Sequence, residues 1–356
     1  MVPMKTKKQT AMNIRDRKIL PILMTLLGLM GALTSCHRED PTPSNQTDIP
    51  ITFAPSSDWP TLTKVSDIFR ETGYLYDEPA DLAGDGILIW GKIDGAESVF
   101  DGVLAKCNNN WDYGEPPVYW RLGKYSFASI LPASKFNGTY TWDDTKFTFN
   151  PALDLSVNQI DVMVASAQKE FTLYHLNGEE IGDVQLNFAH TLSLLNITLV
   201  NGLGSESTIT VNSVKLYGPH TTASSMTNVI EDGAYKGTWD FVGNPTAGEG
   251  DDDYYHYEQW SDSNPTSTSS TDETTLVENL LVFPEKSSSM LTIEVKYTET
   301  LSSAEYITTR KAQVPMDWTA GKPYTYKLQV TPSSLLVLQK TDGGWTNITV
   351  DHDPFE

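Results

Sequence analysis

Residues 184–200 read VQLNFAHTLSLLNITLV, and their phase decides the fold class. Val184, Leu186 and Phe188 fall on one face of an extended chain. Leu195, Ile197 and Leu199 fall on the other, because they occupy odd positions instead of even ones. Side chains of a strand alternate strictly between two faces, so a change of phase requires a bulge or a break. We place that break at His190–Leu194. The stretch reads as two strands. A helix would instead space its apolar residues three and four apart.

The same style extends in both directions. Downstream strands are expected at Ile209–Leu216, Leu276–Phe283, Met290–Tyr297, Tyr306–Val314 and Tyr324–Val330. The far end reads Leu335-Leu336-Val337-Leu338, then Thr341-Asp342-Gly343-Gly344, then Trp345 to Val350, which is strand, tight turn, strand. Upstream, Ile51, Phe53 and Val65 start a β pattern. Ile87–Trp90, Val118–Trp120, Tyr125–Phe127, Tyr140–Trp142, Phe147–Phe149 and Val162–Ala165 continue it. Turn formers separate these runs: Asp94-Gly95, Asn137-Gly138, Asn150-Pro151 and Asn177-Gly178. Short β-branched and aromatic runs at this spacing specify an all-β chain of sandwiches. One stretch stands apart. Residues 244–275 form a long insertion rich in Asp, Ser and Thr, and structureless loops of that length are usually functional or mobile.

The amino terminus has a different logic. Lys5, Lys7, Lys8, Arg15, Arg17 and Lys18 precede an apolar run of 15 residues, Ile19 to Leu33, and then Leu33-Thr34-Ser35-Cys36. A basic stretch, an apolar core and small residues make a secretory signal, while a spanning helix needs about 20 apolar residues. Leu-Thr-Ser-Cys resembles the lipobox of bacterial lipoproteins. That resemblance implies cleavage before Cys36 and a diacylglyceryl group on its thiol, with lasting attachment to the outer membrane. Met12 is an alternative start, since MNIRDRK still supplies a basic region. The expected organisation is a signal peptide at 1–35, a tether at 36–49, one β-sandwich at 50–180 and a second at 181–356.

Charge excludes one class of partner. The signal carries six of the 25 Lys and Arg and one of the 46 Asp and Glu. The mature chain therefore keeps 19 basic and 45 acidic residues, net −26. Such a surface repels phosphate backbones, so no nucleic-acid partner is expected. Only Cys36 and Cys107 exist, so no disulfide framework is expected and Cys107 reads as a small apolar residue. No nearby His or basic cluster activates Cys107 as a nucleophile.

Other chemistry is thin. Glu249, Asp251, Asp252 and Asp253 could chelate calcium, but three consecutive aspartates lack the alternate spacing of a calcium loop, and a solvated acidic loop is the better reading. The six histidines are scattered without zinc spacing. Nucleophile-elbow, zinc-protease and phosphate-loop motifs are absent. Neither an enzyme nor a cofactor is expected. Nine Trp and 16 Tyr read mainly as core. The exceptions are Tyr254, Tyr255, Tyr257 and Trp260 in the insertion, which would make a contact surface if exposed.

Several ordered segments resemble the fimbrillin family of Bacteroidales, the type V pilus subunits. They are Pro117–Trp120 with Gly123–Phe127, Asp161–Ala165, Val184–Ser193 and Trp318–Tyr326. The resemblance implies two tandem transthyretin-like β-sandwich domains. It also implies export as a lipoprotein, proteolysis after a basic residue that removes the first strand, and insertion of another subunit's strand into the vacated groove. Arg70 is the expected cut site and Lys64 the alternative, with a plain surface charge an equal reading of Arg70. Ile51 and Phe53 would leave with the removed segment. Leu335, Leu336, Val337 and Leu338 are the expected donor strand, apolar at consecutive positions as in a strand buried on both faces. A hairpin of residues 335–350 within its own domain is the alternative. The implied function is a structural or accessory pilus subunit on the cell surface. Its partners would be other pilus subunits, the outer membrane through Cys36, and a host or bacterial surface ligand. A lipidated glycan-binding module that does not polymerise is the competing function.

Overall fold

The alternating segments form strands in a computed structural model. It describes residues 46–342 apart from 56–85, 108–110, 134–137, 144, 152, 157–158, 231–236, 243–254, 258–263, 270 and 286–289. In chain order the first strands are β1 (Gln46–Pro50), β2 (Phe53–Pro55), β3 (Ile87–Ile93), β4 (Glu97–Cys107), β5 (Trp111–Asp112), β6 (Tyr119–Arg121), β7 (Gly123–Leu131), β8 (Tyr140–Asp143), β9 (Lys146–Phe149), β10 (Leu153–Asp154) and β11 (Met163–Phe171). A single helical turn, α1 (Leu173–Leu176), follows. Then come β12 (Val184–Leu186), β13 (Ala189–His190), β14 (Ser193–Asn201), β15 (Ser207–Tyr217), β16 (Thr222–Val229), β17 (Gly237–Phe241), β18 (Tyr255–Tyr257), β19 (Thr266–Ser267), β20 (Thr274–Val282), β21 (Met290–Leu301), β22 (Ala304–Pro315), β23 (Pro323–Val330) and β24 (Leu335–Asp342). The all-β reading holds.

A six-stranded sheet ordered β13-β11-β7-β3-β4-β5 lies between two layers of side chains. Ile87, Ile89, Phe127, Leu131, Met163 and Ala165 bury one face with Ile51, Phe53, Val184 and Leu186. Trp90, Ala128, Ile130 and Val164 bury the other face with Phe147 and Phe149 of the sheet β10-β16-β9-β8. Burial on both faces explains why Ile87-Leu88-Ile89-Trp90 is apolar without alternation.

Two further sheets, β20-β14-β23-β24 and β18-β15-β21-β22, share a core of Leu195, Ile197, Leu199, Val214, Leu280, Ile293, Val295, Tyr326 and Leu328. Here alternation is clean, as in β23, whose even-numbered residues Tyr324, Tyr326, Leu328 and Val330 are buried. The insertion at 244–275 supplies β18 and β19, and both pair with β15. The expected structureless loop thus gives way to two short strands. They cover an edge that an 11-residue strand would otherwise leave open.

Block 181–356 lends strands to block 50–180. β12 pairs in parallel with β2, placing Val184 opposite Phe53. β13 adds to β11, and β16 adds to β9 and β10. The phase break falls where the sequence places it: β13 ends at His190 and β14 starts at Ser193. Buried polar groups hold this crossing. The Thr191 backbone N–H and hydroxyl both donate to the Val162 carbonyl, at 3.0 and 2.6 Å. His190 Nδ1 lies 2.8 Å from Asp161 Oδ2. Gln159 Nε2 donates to Leu281 O at 3.2 Å, and its Oε1 accepts from Leu281 N at 2.7 Å, so the side chain pairs with β20 as a backbone amide would.

Candidate functional site

The site is the seat of residues 46–55. Two short ladders hold them, β1 on β6 and β2 on β12, and each ladder is a sheet of its own. Ile51 N donates to Val118 O at 2.7 Å, and Val184 N donates to Thr52 O at 2.8 Å. The Tyr113 phenol donates to Ile51 O at 2.9 Å, and burial pushes that phenol up from its ordinary range. Thr47 donates to Trp120 O at 2.9 Å, and the Thr52 hydroxyl donates to the Asp183 carboxylate. Side chains do most of the anchoring. Ile51 is fully buried and Phe53 nearly so. The Phe53 ring meets Phe100, Phe127 and Tyr113 edge-on, with centroids 5.3, 5.5 and 6.0 Å apart. Edge-to-face contacts of this kind add to plain area burial. Taken out, residues 46–55 would leave a slot walled by β6, β12 and the aromatic face of β3, β4 and β7.

The expected donor strand, Leu335–Leu338, lies on β24 at the edge of its sheet, antiparallel to β23. Leu335 pairs with Val330, and a register shift falls between Lys327 and Leu328. Leu335 and Val337 pack on the core, whereas Leu336 and Leu338 are 43% and 48% exposed. The strand is therefore buried on one face and not on both, because nothing among the described residues covers its outer side.

Cys36, Lys64 and Arg70 lie outside the described residues, as do Glu249, Asp251, Asp252, Asp253, Tyr254, Trp260 and Trp345–Val350. Cys107 ends β4, and its side chain is likewise outside them. Among the described residues no group of three or more His, Cys, Asp or Glu is placed to hold a metal ion. No helix among them is long and apolar enough to cross a membrane. Trp90, Trp120, Trp239 and Trp318 are buried. A cleft of about 390 Å³ opens among Asn201, Ser205, Thr268, Ser269, Thr271 and Gln329, all neutral hydrogen-bonding groups. Sequence reasoning found Ile51 and Phe53 but missed Tyr113 and the pairing with Val184–Leu186. A parallel pairing across 131 residues leaves no local signal.

The fimbrillin-like family matches residues 83–345, about three quarters of the chain. The chain belongs to that family. It is thereby placed among structural pilus and adhesion proteins. The match covers both sheet pairs and the whole of β24, and starts downstream of the seat strands. No curated protein matches the chain. Among solved structures, one from Bacteroides uniformis assigned to cell adhesion is 15% identical, with 85% of this chain and 100% of that one covered and a TM-score of 0.41. Another cell-adhesion protein, from Parabacteroides distasonis, is 10% identical, with 84% and 97% covered and a TM-score of 0.44. The fimbrial anchor protein Mfa2 of Porphyromonas gingivalis is 10% identical, with 74% and 90% covered and a TM-score of 0.36.

Proposed function

We propose that the chain is a structural or accessory subunit of a cell-surface pilus, assembled by strand exchange and supporting adhesion. Family membership supports the pilus role. The observation that carries the exchange mechanism is the seat of residues 46–55, anchored by buried Ile51 and Phe53 yet held by only two short ladders. Burying two such side chains is worth roughly 3–6 kcal/mol before ordering costs. A strand of similar pattern from another subunit can recover that amount, with backbone pairing to add. In this reading the lipid on Cys36 brings the precursor to the outer membrane. Cleavage after Arg70, or after Lys64, frees the first strands, and Leu335–Leu338 of a neighbouring subunit fills the slot. The partners are other pilus subunits, the outer membrane and a host or bacterial surface ligand. The same reading takes blocks 50–180 and 181–356 as two tandem transthyretin-like sandwiches that share strands at their junction.

The test is to treat the purified chain with a trypsin-like protease and follow both its amino terminus and its size. A new terminus at Glu71 or Val65, together with a ladder of oligomers resistant to mild denaturation, is the expected result. Cut protein that stays monomeric at high concentration sinks the polymerising role. Sequencing the protein recovered from cells then separates the forms: a terminus blocked at Cys36 marks an anchored subunit, and one at Glu71 a processed pilin.

The competing reading, a glycan-binding module, draws on the neutral cleft at Ser205, Thr271 and Gln329, whose hydroxyls and amide suit sugar hydroxyls. Titration with neutral oligosaccharides tests it, and a response that Gln329→Ala leaves unchanged removes the cleft from consideration.

A further inference from the structure

The short turn α1 reverses the usual distribution of polarity. Its sequence is Leu-Tyr-His-Leu. The polar residue faces the protein: the His175 ring stacks on buried Phe171 with centroids 5.1 Å apart, and its Nδ1 accepts from Thr172 N at 2.9 Å. The three apolar residues face outward, with Leu173 63%, Tyr174 72% and Leu176 43% exposed. Scattered exposed apolar residues are ordinary, but three within one capped turn make a built apolar knob. The following loop is also fixed, since Lys169 Nζ donates to Gly182 O and Asp183 O at 3.0 and 2.7 Å.

The position of the knob suggests what covers it. Phe171 stacks on Trp120 at 5.9 Å, and the next residue, Arg121, pairs with Gln46, the first described residue. The chain arriving from Cys36 therefore enters the fold two stacked rings away from α1. The other end of β11 pairs with β13 at the crossing toward β14, so α1 lies at the end of β11 away from that crossing. Cys36 is ten residues upstream of Gln46, and a fully extended chain spans at most about 35 Å over that length.

We propose that α1 is a membrane-contact turn: in the lipid-anchored form, Leu173, Tyr174 and Leu176 enter the interfacial layer of the bilayer that holds Cys36. The proposal rests on the reading of Cys36 as lipidated. Leucine flanked by tyrosine is suited to that layer, where one end of the side chain is apolar and the other wet. Glu170, Glu179 and Glu180 flank the knob and would be repelled by anionic headgroups, so a zwitterionic surface suits it best.

The test uses the full lipidated chain, uncleaved, in phosphatidylcholine vesicles. Cys107→Ser removes the native thiol. Tyr174→Cys, Leu176→Cys and, as a remote control on β22, Ile307→Cys each carry an environment-sensitive fluorophore. Residue 307 is 69% exposed. Labels at 174 and 176 are expected to shift to the blue and to lose about half or more of their emission to quencher-bearing lipids, as an interfacial depth of roughly 5–10 Å requires. The label at 307 should do neither. Protein that floats with the vesicles while the labels at 174 and 176 stay unquenched overturns the contact and leaves the lipid anchor intact. Protein that does not float overturns the anchor reading, and the contact with it. A blue shift that rises with protein concentration in the absence of vesicles assigns the knob to a second copy and overturns the proposal.

Discussion

The seat strands, residues 46–55, and the edge strand β24 are both held at the margins of sheets, but by opposite means. The seat strands have little backbone pairing: β2 pairs at three positions and β1 at two separated ones. Their hold comes from Ile51 and Phe53, inserted among Phe100, Tyr113 and Phe127. β24 has a ladder of seven pairs, yet only Leu335 and Val337 of its four apolar residues reach the core. A strand held by side chains leaves a shaped slot when it goes. A strand held by a backbone ladder on an open edge can remake that ladder against another sheet edge. The first arrangement suits an element to be replaced, and the second suits an element to be lent.

The largest expected effect contrasts the two directly. Phe53→Ala should cost about 3–5 kcal/mol, the usual price of truncating a buried aromatic, while Leu336→Ala should stay within about 0.5 kcal/mol. Urea unfolding measures both. Equal midpoint shifts for the two variants would break the comparison. Next comes a contrast within β24. Leu335→Ala should destabilise by roughly 2–4 kcal/mol, since Leu335 is 5% exposed. The pair Leu336→Ser and Leu338→Ser should leave monomer unfolding nearly unchanged. If β24 is the donor, that same pair should remove the oligomer ladder of the protease-treated chain. A ladder that persists assigns donation to another strand.

Alkaline pH probes the support beneath β24. Tyr326 on β23 lies opposite Lys340 and accepts from Trp318 Nε1 at 3.2 Å. Burial pushes its phenol up to about 12. A folded-state value above the unfolded one of about 10 means that the neutral phenol's contribution is fully present below pH 10. It is lost as pH rises toward 12. The two-unit difference is worth about 2–3 kcal/mol over that window. The Tm should fall between pH 10 and 12, and Tyr326→Phe should flatten that fall while lowering stability at neutral pH by leaving Trp318 Nε1 unpaired. An unchanged slope in the variant would assign the alkaline loss to other groups.

Much of this was legible from single residues. β23 and β21 follow the two-residue period because one face is buried and the other wet. Phase reversal located the break before Ser193, since alternation cannot flip without one. β4 was not legible: Gly102 takes a left-handed φ of 64°, and the register shifts at Ile89–Gly91 and Gly91–Lys92 of its partner β3 break the alternation between them. β16, read from Thr-Ala-Ser-Ser-Met-Thr-Asn-Val, buries only Ala223, Met226 and Asn228 beyond its half-buried positions, and its hydroxyl-rich composition resembles a loop. In the seat, Ile51 and Phe53 were readable as apolar alternation. Their pairing with the strand of Val184 and Leu186 was not, because long-range parallel pairing is set by packing alone. Leu336 and Leu338 face outward in this chain for the complementary reason: an apolar run states what a strand can cover, and only its neighbours decide what is covered.

The smallest effect sharpens the edge further. Beside β24, Lys327 on the outer side of β23 bridges to Glu273, whose second oxygen accepts from Thr198 Oγ1 at 3.0 Å. The Lys327 ammonium, then the Thr198 hydroxyl, hold the Glu273 carboxyl below its usual range. Because the folded-state value is depressed, the stabilisation is present above the unfolded value near 4.3 and is lost as pH falls through the folded one. Lys327 is 26% and Glu273 45% exposed, so solvent screening limits the pair to about a few tenths of a kcal/mol. Glu273→Gln should therefore remove a small part of the acid destabilisation below pH 5 at low salt and none of it at 1 M salt. The bridge lies on the face that Leu336 and Leu338 share, and it spans β20's approach and β23 without reaching β24. Its loss should thus leave hydrogen exchange of the β24 amides unchanged. Faster exchange there would mean that side chains hold the edge strand after all, and the contrast with the seat would weaken accordingly.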